Sequence, residues 1–372
     1  MIECNRCLMN NSIDVNIEFD EHGICNHCNS FDQKKSIRLV SDEDRELAFS
    51  NLISKIKKSN TKGKYNCIVG VSGGVDSSYV AYLAKKNGLR PLCIHLDNGW
   101  NSELAVDNIQ KILTKLDIPL YTHVIDWNEF RKLQLSFLKS GTPDGEIPSD
   151  HAIQATLWQE ASKRGIKYIL SGMNFSTESI AVETNAYGHY DWKYIKSVHK
   201  LFEDSTLKTY PRFSLLKLFY YTFIKNIRIV GILNYINYSK DEAVETLKNE
   251  LGWRSYSGKH HESVYTRFFQ GYFLPKKFNI DKRIGHLSDL IKTNQISKDE
   301  ARKVLLEPTY DLQLQADDKE FALKKLKISE KEFDDIVNSK NRTFREYPNN
   351  YGFGKIAKKT ADFLRGLNLY PK

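Results

Sequence analysis

From Tyr65 to Asn174, short apolar runs rich in β-branched residues alternate with stretches of helical periodicity, and no other feature narrows the fold so far. Tyr65-Asn66-Cys67-Ile68-Val69-Gly70-Val71 predicts a buried parallel strand. Ser72-Gly73-Gly74-Val75-Asp76-Ser77-Ser78 follows at once, and Tyr79, Val80, Leu83 and Ala84 then fall at helical spacing up to Gly88. The pattern recurs. Pro91 to Asp97 predicts a second strand with Asn98-Gly99-Trp100 as its exit turn, and a helix follows through Leu104, Ile109, Ile112, Leu113 and Leu116. Leu120 to Ile125 predicts a third strand, Asn128 to Ser140 and Ala152 to Arg164 two helices, and Ile166 to Leu170 a fourth strand ending at Ser171-Gly172-Met173-Asn174. This alternation implies an α/β fold built on a doubly wound parallel sheet. Such sheets bind ligands beyond the carboxyl ends of their strands.

A strand, a glycine turn and a helix aim backbone N–H groups and a helix N-terminus at phosphate. Gly73 and Gly74 allow close backbone approach, and Ser72, Ser77 and Ser78 offer hydroxyls. Asp76 repels phosphate directly and is therefore assigned to a magnesium ion. Val71, Asp97, Gly172 and Asn174 fall at strand ends beside this turn and complete the candidate ATP site. No Gly-Lys-Ser/Thr follows, so the turn is not a Walker A loop, nor is it the Gly-x-Gly-x-x-Gly of dinucleotide folds. Ser-Gly-Gly-x-Asp-Ser resembles the signature loop of the ATP pyrophosphatases, the PP-loop superfamily. Its members include GMP, asparagine, NAD and argininosuccinate synthetases and tRNA-modifying enzymes. The resemblance implies an adenine nucleotide α-hydrolase-like fold whose loop holds the leaving pyrophosphate, so that a carbonyl-type oxygen becomes an adenylate.

Four of the six cysteines form two pairs, Cys4-x2-Cys7 and Cys25-x2-Cys28. Two such turns can close a tetrahedral four-sulfur site, here read as a structural zinc ribbon, with an iron–sulfur cluster or disulfides as the alternatives. His27 lies inside a pair and is read as a neighbour of the site rather than a ligand. Cys67 and Cys93 sit in apolar strand-like runs and read as small core residues. The organisation expected is a zinc ribbon over residues 1–35, the ATP pyrophosphatase domain over 36–200, and a mostly helical and loop-built substrate and partner region over 201–372.

The acceptor is read from the C-terminal half. Gly252-Trp253-Arg254-x-Tyr256, Gly258-Lys259-His260-x-Glu262-Ser263, Thr266-Arg267-Phe268, Leu274-Pro275-x-Lys277-Phe278, Asp281-Lys282-Arg283 and His286-Leu287-Ser288 form a stretch without clear amphipathic periodicity, as site-forming loops do. The order resembles the N-acetyl sugar amidotransferases of bacterial surface-polysaccharide (LPS/O-antigen) and flagellin-glycan pathways, over about residues 1 to 310. That resemblance implies adenylation of the acetamido oxygen of an N-acetylated sugar and displacement of AMP by ammonia. The ammonia would come from a separate glutaminase subunit, with a possible synthase-like subunit that channels it. Consistently, no cysteine has the setting of a glutaminase nucleophile. Lys259 and Arg267 are the cations favoured for phosphate or sugar-acid contacts, with Lys276, Lys277, Lys282 and Arg283 as solvated or contacting alternatives. His260, His261 and Glu262 could relay protons. Asp76, Lys259, His260, Glu262 and Arg267 are thus the candidate catalytic residues.

Thr177, Glu178, Ser179 and Glu183 could line a sugar pocket, and Tyr187 to Tyr194 could stack on a sugar or pack in the core. The competing reading is a tRNA-modifying, thiolating enzyme, which a net charge of +9 would suit. Sulfur relay needs exposed reactive thiols, which Cys67 and Cys93 do not offer, so no nucleic acid is expected as partner. The most apolar stretch, Phe213 to Tyr238, is interrupted by Lys217, Lys225 and Arg228. It reads as buried helices, with a membrane-facing or partner-facing surface as the alternative, and not as a spanning segment. With no targeting segment visible, a cytoplasmic protein is expected.

Overall fold

The computed structural model describes residues 2–367 apart from 181, 183, 184, 186, 204, 257, 259 and 260. Among the described residues one sheet forms from β1 (Cys67–Gly70), β2 (Pro91–Asp97), β3 (Leu120–Val124), β4 (Tyr168–Ser171) and β5 (Arg228–Gly231). Its order is β3-β2-β1-β4-β5 and every pairing is parallel. The first three of the four residues of β1, Cys67, Ile68 and Val69, are wholly buried, as a strand covered on both faces requires. The edge strand β3 instead alternates exposed and half-buried residues.

The helices are α1 (Asn26–Arg38), α2 (Arg45–Ser59), α3 (Val75–Lys86), α4 (Glu103–Leu116), α5 (Trp127–Lys139), α6 (Ile147–Arg164), α7 (Trp192–Phe202), α8 (Leu215–Phe219), α9 (Lys240–Leu251), α10 (Val264–Phe268), α11 (Leu274–Phe278), α12 (Lys282–Lys292), α13 (Lys298–Leu306), α14 (Leu312–Leu326), α15 (Glu330–Asn338) and α16 (Tyr351–Gly366). Their limits follow local chemistry. Ser102 and Asp126 cap α4 and α5 by accepting the N–H of Ala105 and Glu129, and Gly165 ends α6 in the left-handed region. Helix α6 starts before the expected Ala152, with Pro148 in its first turn, where a missing N–H costs nothing.

One face of the sheet packs against α2, α3 and α9 through Ile56, Val80 and Leu247, and the other against α6 through Ala155, Trp158 and Ala161. A third, aromatic core joins α5 and α7 to the C-terminal helices through Phe137, Tyr194, Tyr265, Phe273 and Phe333. Truncating one of these rings to Ala would cost about 3–5 kcal/mol. The aromatic segment Tyr187–Tyr194 belongs largely here. Tyr194 is fully buried, and the Tyr187 ring stacks on Phe344 at 4.2 Å.

Three expectations are corrected. The sheet does not close before residue 200, because β5 comes from Arg228–Gly231. The apolar stretch Phe213–Tyr238 is not simply buried helix. It contributes α8, a π-turn (Tyr220–Ile224) and β5, and it leaves Leu216, Phe219, Phe223 and Ile224 exposed. The stretch after Ser263 is not loop. It folds as α10, a second π-turn (Phe269–Phe273), α11 and α12.

At the N-terminus Cys4, Cys7, Cys25 and Cys28 are fully buried and unbridged, and their sulfur atoms lie within 4.8 Å of one another. Backbone N–H groups of Arg6, Met9 and Cys25 point at the Cys4 and Cys7 sulfurs. The module sits on α12 and α13. Leu8 packs with Leu287 and Ala301, Lys298 donates to the Cys4 carbonyl at 2.6 Å, and Glu3 pairs with Lys298 and Arg302. His27 binds Asp14 at 2.8 Å.

Candidate active site

The strand order reverses between β1 and β4, which opens a crevice at their carboxyl ends. The turn Ser72–Gly74 fills the start of it. Gly73 has φ +85°, and a Cβ there would stand 2.7 Å from the Ala105 carbonyl oxygen. The Gly73 carbonyl accepts hydrogen bonds from Trp253 Nε1 at 2.9 Å and the Tyr256 hydroxyl at 3.1 Å. A Cβ on Gly74 would stand 2.6 Å from Glu262 Oε1. Gly172, at the end of β4, would meet the backbone of Asp76 and Ser77 with any side chain. These glycines therefore bring three chain segments to backbone contact. No side chain caps the first turn of α3, so its N–H groups suit an anion.

Two cavities of about 430 Å³ each meet at this turn, and Ser72, Ser171, Gly172 and Glu262 line both. The one on the α3 side is lined further by Asp76, Ser77, Glu178, Lys240, Trp253 and Tyr256. Tyr238 donates its hydroxyl to Asp76, and burial together with that carboxylate pushes the phenol pKa up. The other cavity has an apolar floor that includes Ile94, Leu96 and Ile169 and a polar wall of His95, Asn98, Asn101, Asp144, Asp150 and Lys282. The Val71 carbonyl can only accept, so His95 carries its proton on Nδ1, and its Nε2 accepts from Asn101 at 3.0 Å. Burial lifts Asp144 to about 6, against the hydroxyl of Tyr194 and the N–H of Tyr187, which both donate to it. Burial lowers the His189 pKa, but the Asp150 carboxylate outweighs this and the net shift is upward.

Glu262 is carried to the turn by the segment after β2. Ser102 N–H donates to the Glu262 carbonyl, Val264 N–H donates to the Trp100 carbonyl, and Asn101 and Ser263 bridge. The Ser72 hydroxyl then lies 3.4 Å from Glu262 Oε1.

Of the residues expected at the site, Val71, Ser72, Gly74, Asp76, Ser77, Gly172 and Glu262 line these cavities. Gly73 shapes the turn through its backbone, and Ser78 is buried inside α3. Asp97 lines neither cavity, because its carboxylate accepts from Gly99 N–H and the Asn101 amide within its own turn. Asn174 is buried behind the crevice. Its oxygen accepts from Thr177, and its amide nitrogen has no partner among the described residues. Arg267 is corrected. It forms a buried bidentate pair with Asp318, at 2.6 and 2.7 Å, and lines neither cavity. Lys277 donates to the carbonyls of Ile336, Val337 and Ser339, and Arg283 to those of Val304, Glu307 and Pro308. His261 is buried edge-on to Tyr310. Ser179 binds Asp289, beside Lys292, instead of facing a pocket. Lys259, His260 and Glu183 lie outside the described residues.

Sequence reasoning passed over His95, Asn101, Asp144, Asp150 and Lys240 as site residues. A signal for Asp144 was present in Thr142-Pro143-Asp144-Gly145-Glu146, a polar acidic turn between two helices.

Residues 66–178 match the family described as queuosine biosynthesis protein QueC, and residues 262–360 match the C-terminal domain of the LPS biosynthesis protein WbpG-like family. The chain thus carries a QueC-like segment over residues 66–178 and a WbpG-like C-terminal domain over residues 262–360. It is 24% identical over 176 residues to an uncharacterized protein of Methanocaldococcus jannaschii, covering 46% of this chain and 58% of that protein. It is 28% identical over 151 residues to a tRNA-specific 2-thiouridylase of Fusobacterium nucleatum, covering 38% and 41%. The chain thus spans about half the length of the curated relatives it matches. Among solved structures, the NH3-dependent NAD synthetase of Campylobacter jejuni aligns over 76% of this chain and 95% of its own, at 14% identity and a TM-score of 0.31. The WbpG-like match begins at Glu262, the residue that reaches the glycine turn Ser72–Gly74.

Proposed function

We propose that this protein is an ATP-dependent, AMP-forming amidotransferase acting on an N-acetylated sugar. The observation that carries the proposal is the junction just described, in which a WbpG-like domain contributes Glu262 to the wall of both cavities at an ATP pyrophosphatase turn. The acetamido oxygen attacks the α-phosphorus of ATP, and the bond to the β-phosphate oxygen breaks to release pyrophosphate. Ammonia then adds to the amide carbon, and the C–O bond breaks with AMP as leaving group. Loss of a proton leaves an acetamidino group. The turn and the α3 N-terminus would hold the departing pyrophosphate. Magnesium, when bound, would neutralise phosphate charge, and Asp76 with Glu178 fits it as carboxylate ligands. Lys282 lines the second cavity and makes no ion pair or hydrogen bond with the described residues. It takes over the role expected of Arg267 and suits a sugar carboxylate or a carrier phosphate. Lys259 and His260 stay assigned to phosphate contact and proton relay. Ammonia would come from a glutaminase subunit, with a channelling subunit beside it.

The cysteine cluster is assigned to structural zinc. Tetrahedral Zn–S bonds of about 2.3 Å place sulfurs about 3.8 Å apart. The Cys4–Cys28 and Cys7–Cys25 separations are 4.0 and 3.7 Å.

The thiouridylase relatives keep a second reading in play, tRNA thiolation through an adenylate. Against it, Cys67 and Cys93 are buried, and burial pushes the Cys67 thiol up to about 12, so neither offers a thiolate at the turn. The test is incubation with ATP, magnesium, ammonium and a panel of N-acetylated sugar acids and nucleotide sugars. The expected result is AMP, pyrophosphate and a product lighter by the difference between an oxygen and an NH group. Formation of ADP and phosphate, or AMP release stimulated only by tRNA, would overturn the proposal.

A further inference from the structure

From Ser205 to Lys240 the chain carries Lys208, Arg212, Lys217, Lys225, Arg228 and Lys240 and not one Asp or Glu. Within this stretch α8 runs directly into the π-turn Tyr220–Ile224. One side of that ten-residue rod is anchored. Tyr221 stacks on Trp158 of α6, and Phe213 and Ile227 are buried on either side of it. The other side is bare. Leu216, Phe219, Tyr220, Phe223 and Ile224 have between 42% and 82% of their surface exposed, and the Phe219 and Phe223 rings lie 4.7 Å apart. Single exposed apolar residues are ordinary, but five on one helical face are not. None of the five lines either cavity, so this face is not part of the nucleotide or acceptor site.

We propose that this face docks on an anionic membrane surface, lying in the headgroup plane. The charge chooses the occupant. A row of apolar and aromatic side chains with the exposed Lys217 and Lys225 beside it, and no acid within its own stretch of chain, matches acidic lipid headgroups above acyl chains. A second copy of the chain would bring the same cations against themselves across a two-fold axis. No described helix is long and apolar enough to cross a membrane, so the contact is with the surface. Lys217 and Lys225 can extend their charged ends to the headgroups while Phe219 and Phe223 enter the bilayer.

The test is flotation of the full chain with vesicles of phosphatidylcholine alone and with vesicles containing phosphatidylcholine and phosphatidylglycerol in equal parts. Recovery should be at least about tenfold higher on the anionic vesicles and should fall at high salt. Phe219→Ser/Phe223→Ser should lose most of that recovery, and Lys217→Glu/Lys225→Glu its preference for anionic vesicles. Both variants should keep the native circular dichroism melt. Equal recovery on the two vesicle types, or undiminished recovery of the correctly folded charge variant, would overturn the proposal. So would a vesicle-free dimer that the Phe variant dissolves, because the face would then belong to a second copy.

Discussion

The turn Ser72–Ser78 and the part of the C-terminal stretch from Glu262 to Ser288 both looked like sites in the sequence, and they use their polar residues in opposite ways. In the turn, Ser72, Asp76 and Ser77 line a cavity, and the glycines bring the backbone there. In the C-terminal segment most of the charge is spent inside the fold. Arg267 holds Asp318, Lys277 gathers three carbonyls of α15 and its exit, and Arg283 ties α12 to the end of α13. Of its polar residues, Glu262, Ser263, Thr266, Gln270 and Lys282 line the two cavities at the turn. A dense run of cations is therefore as good a signal of long-range cross-linking as of catalysis.

Mutations can break this comparison. Asp76→Ala should lower AMP formation by roughly 1,000-fold while zinc content and the melting curve stay close to native; a mild loss would move Asp76 out of the chemistry. Arg267→Ala should behave oppositely. It leaves Asp318 buried and unpaired, so chemical denaturation should report a loss of about 3–5 kcal/mol. Replacing both partners by apolar residues, Arg267→Met with Asp318→Leu, should recover most of that stability together with activity. If activity stays lost in the stable double variant, Arg267 is catalytic after all.

Asp144 gives a smaller effect with a defined sign. Its pKa is raised from the ordinary carboxylate value to about 6 in the folded chain, so the fold favours its protonated form. Between about pH 4 and 6 the native state binds the extra proton, and the ionised side chain costs stability as pH rises through that window. Relative to Asp144→Asn, the native protein should therefore lose up to about 3 kcal/mol between pH 4 and pH 8, read from paired melts. Glu262→Gln keeps the shape at the turn and should cost only about tenfold in turnover, with no change in melting. A large stability loss there would make Glu262 a strut like Arg267.

What could be read in advance was what neighbours in sequence encode. Strand β2 matches its expected limits, because a β-branched run, a glycine turn and a helical period are local properties. The cysteine pairs were legible for the same reason. Strand β5 was missed because a four-residue edge strand is too short to show a period, although Asn226 at φ +53° breaks the helix just before it. Arg267 was misread because Asp318 lies 51 residues away. His95 and Asn101 were missed because their place in the cavity depends on how the turn after β2 grips the chain at Ser263.

Glu262 forms part of the partition between two chambers. A partition that both occupants touch makes their affinities interdependent. Whichever substrate arrives first sets the position of that carboxylate for the second. Initial-rate kinetics should then show random addition with interdependent KM values, and the affinity for a non-hydrolysable ATP analogue should change when the acceptor is present.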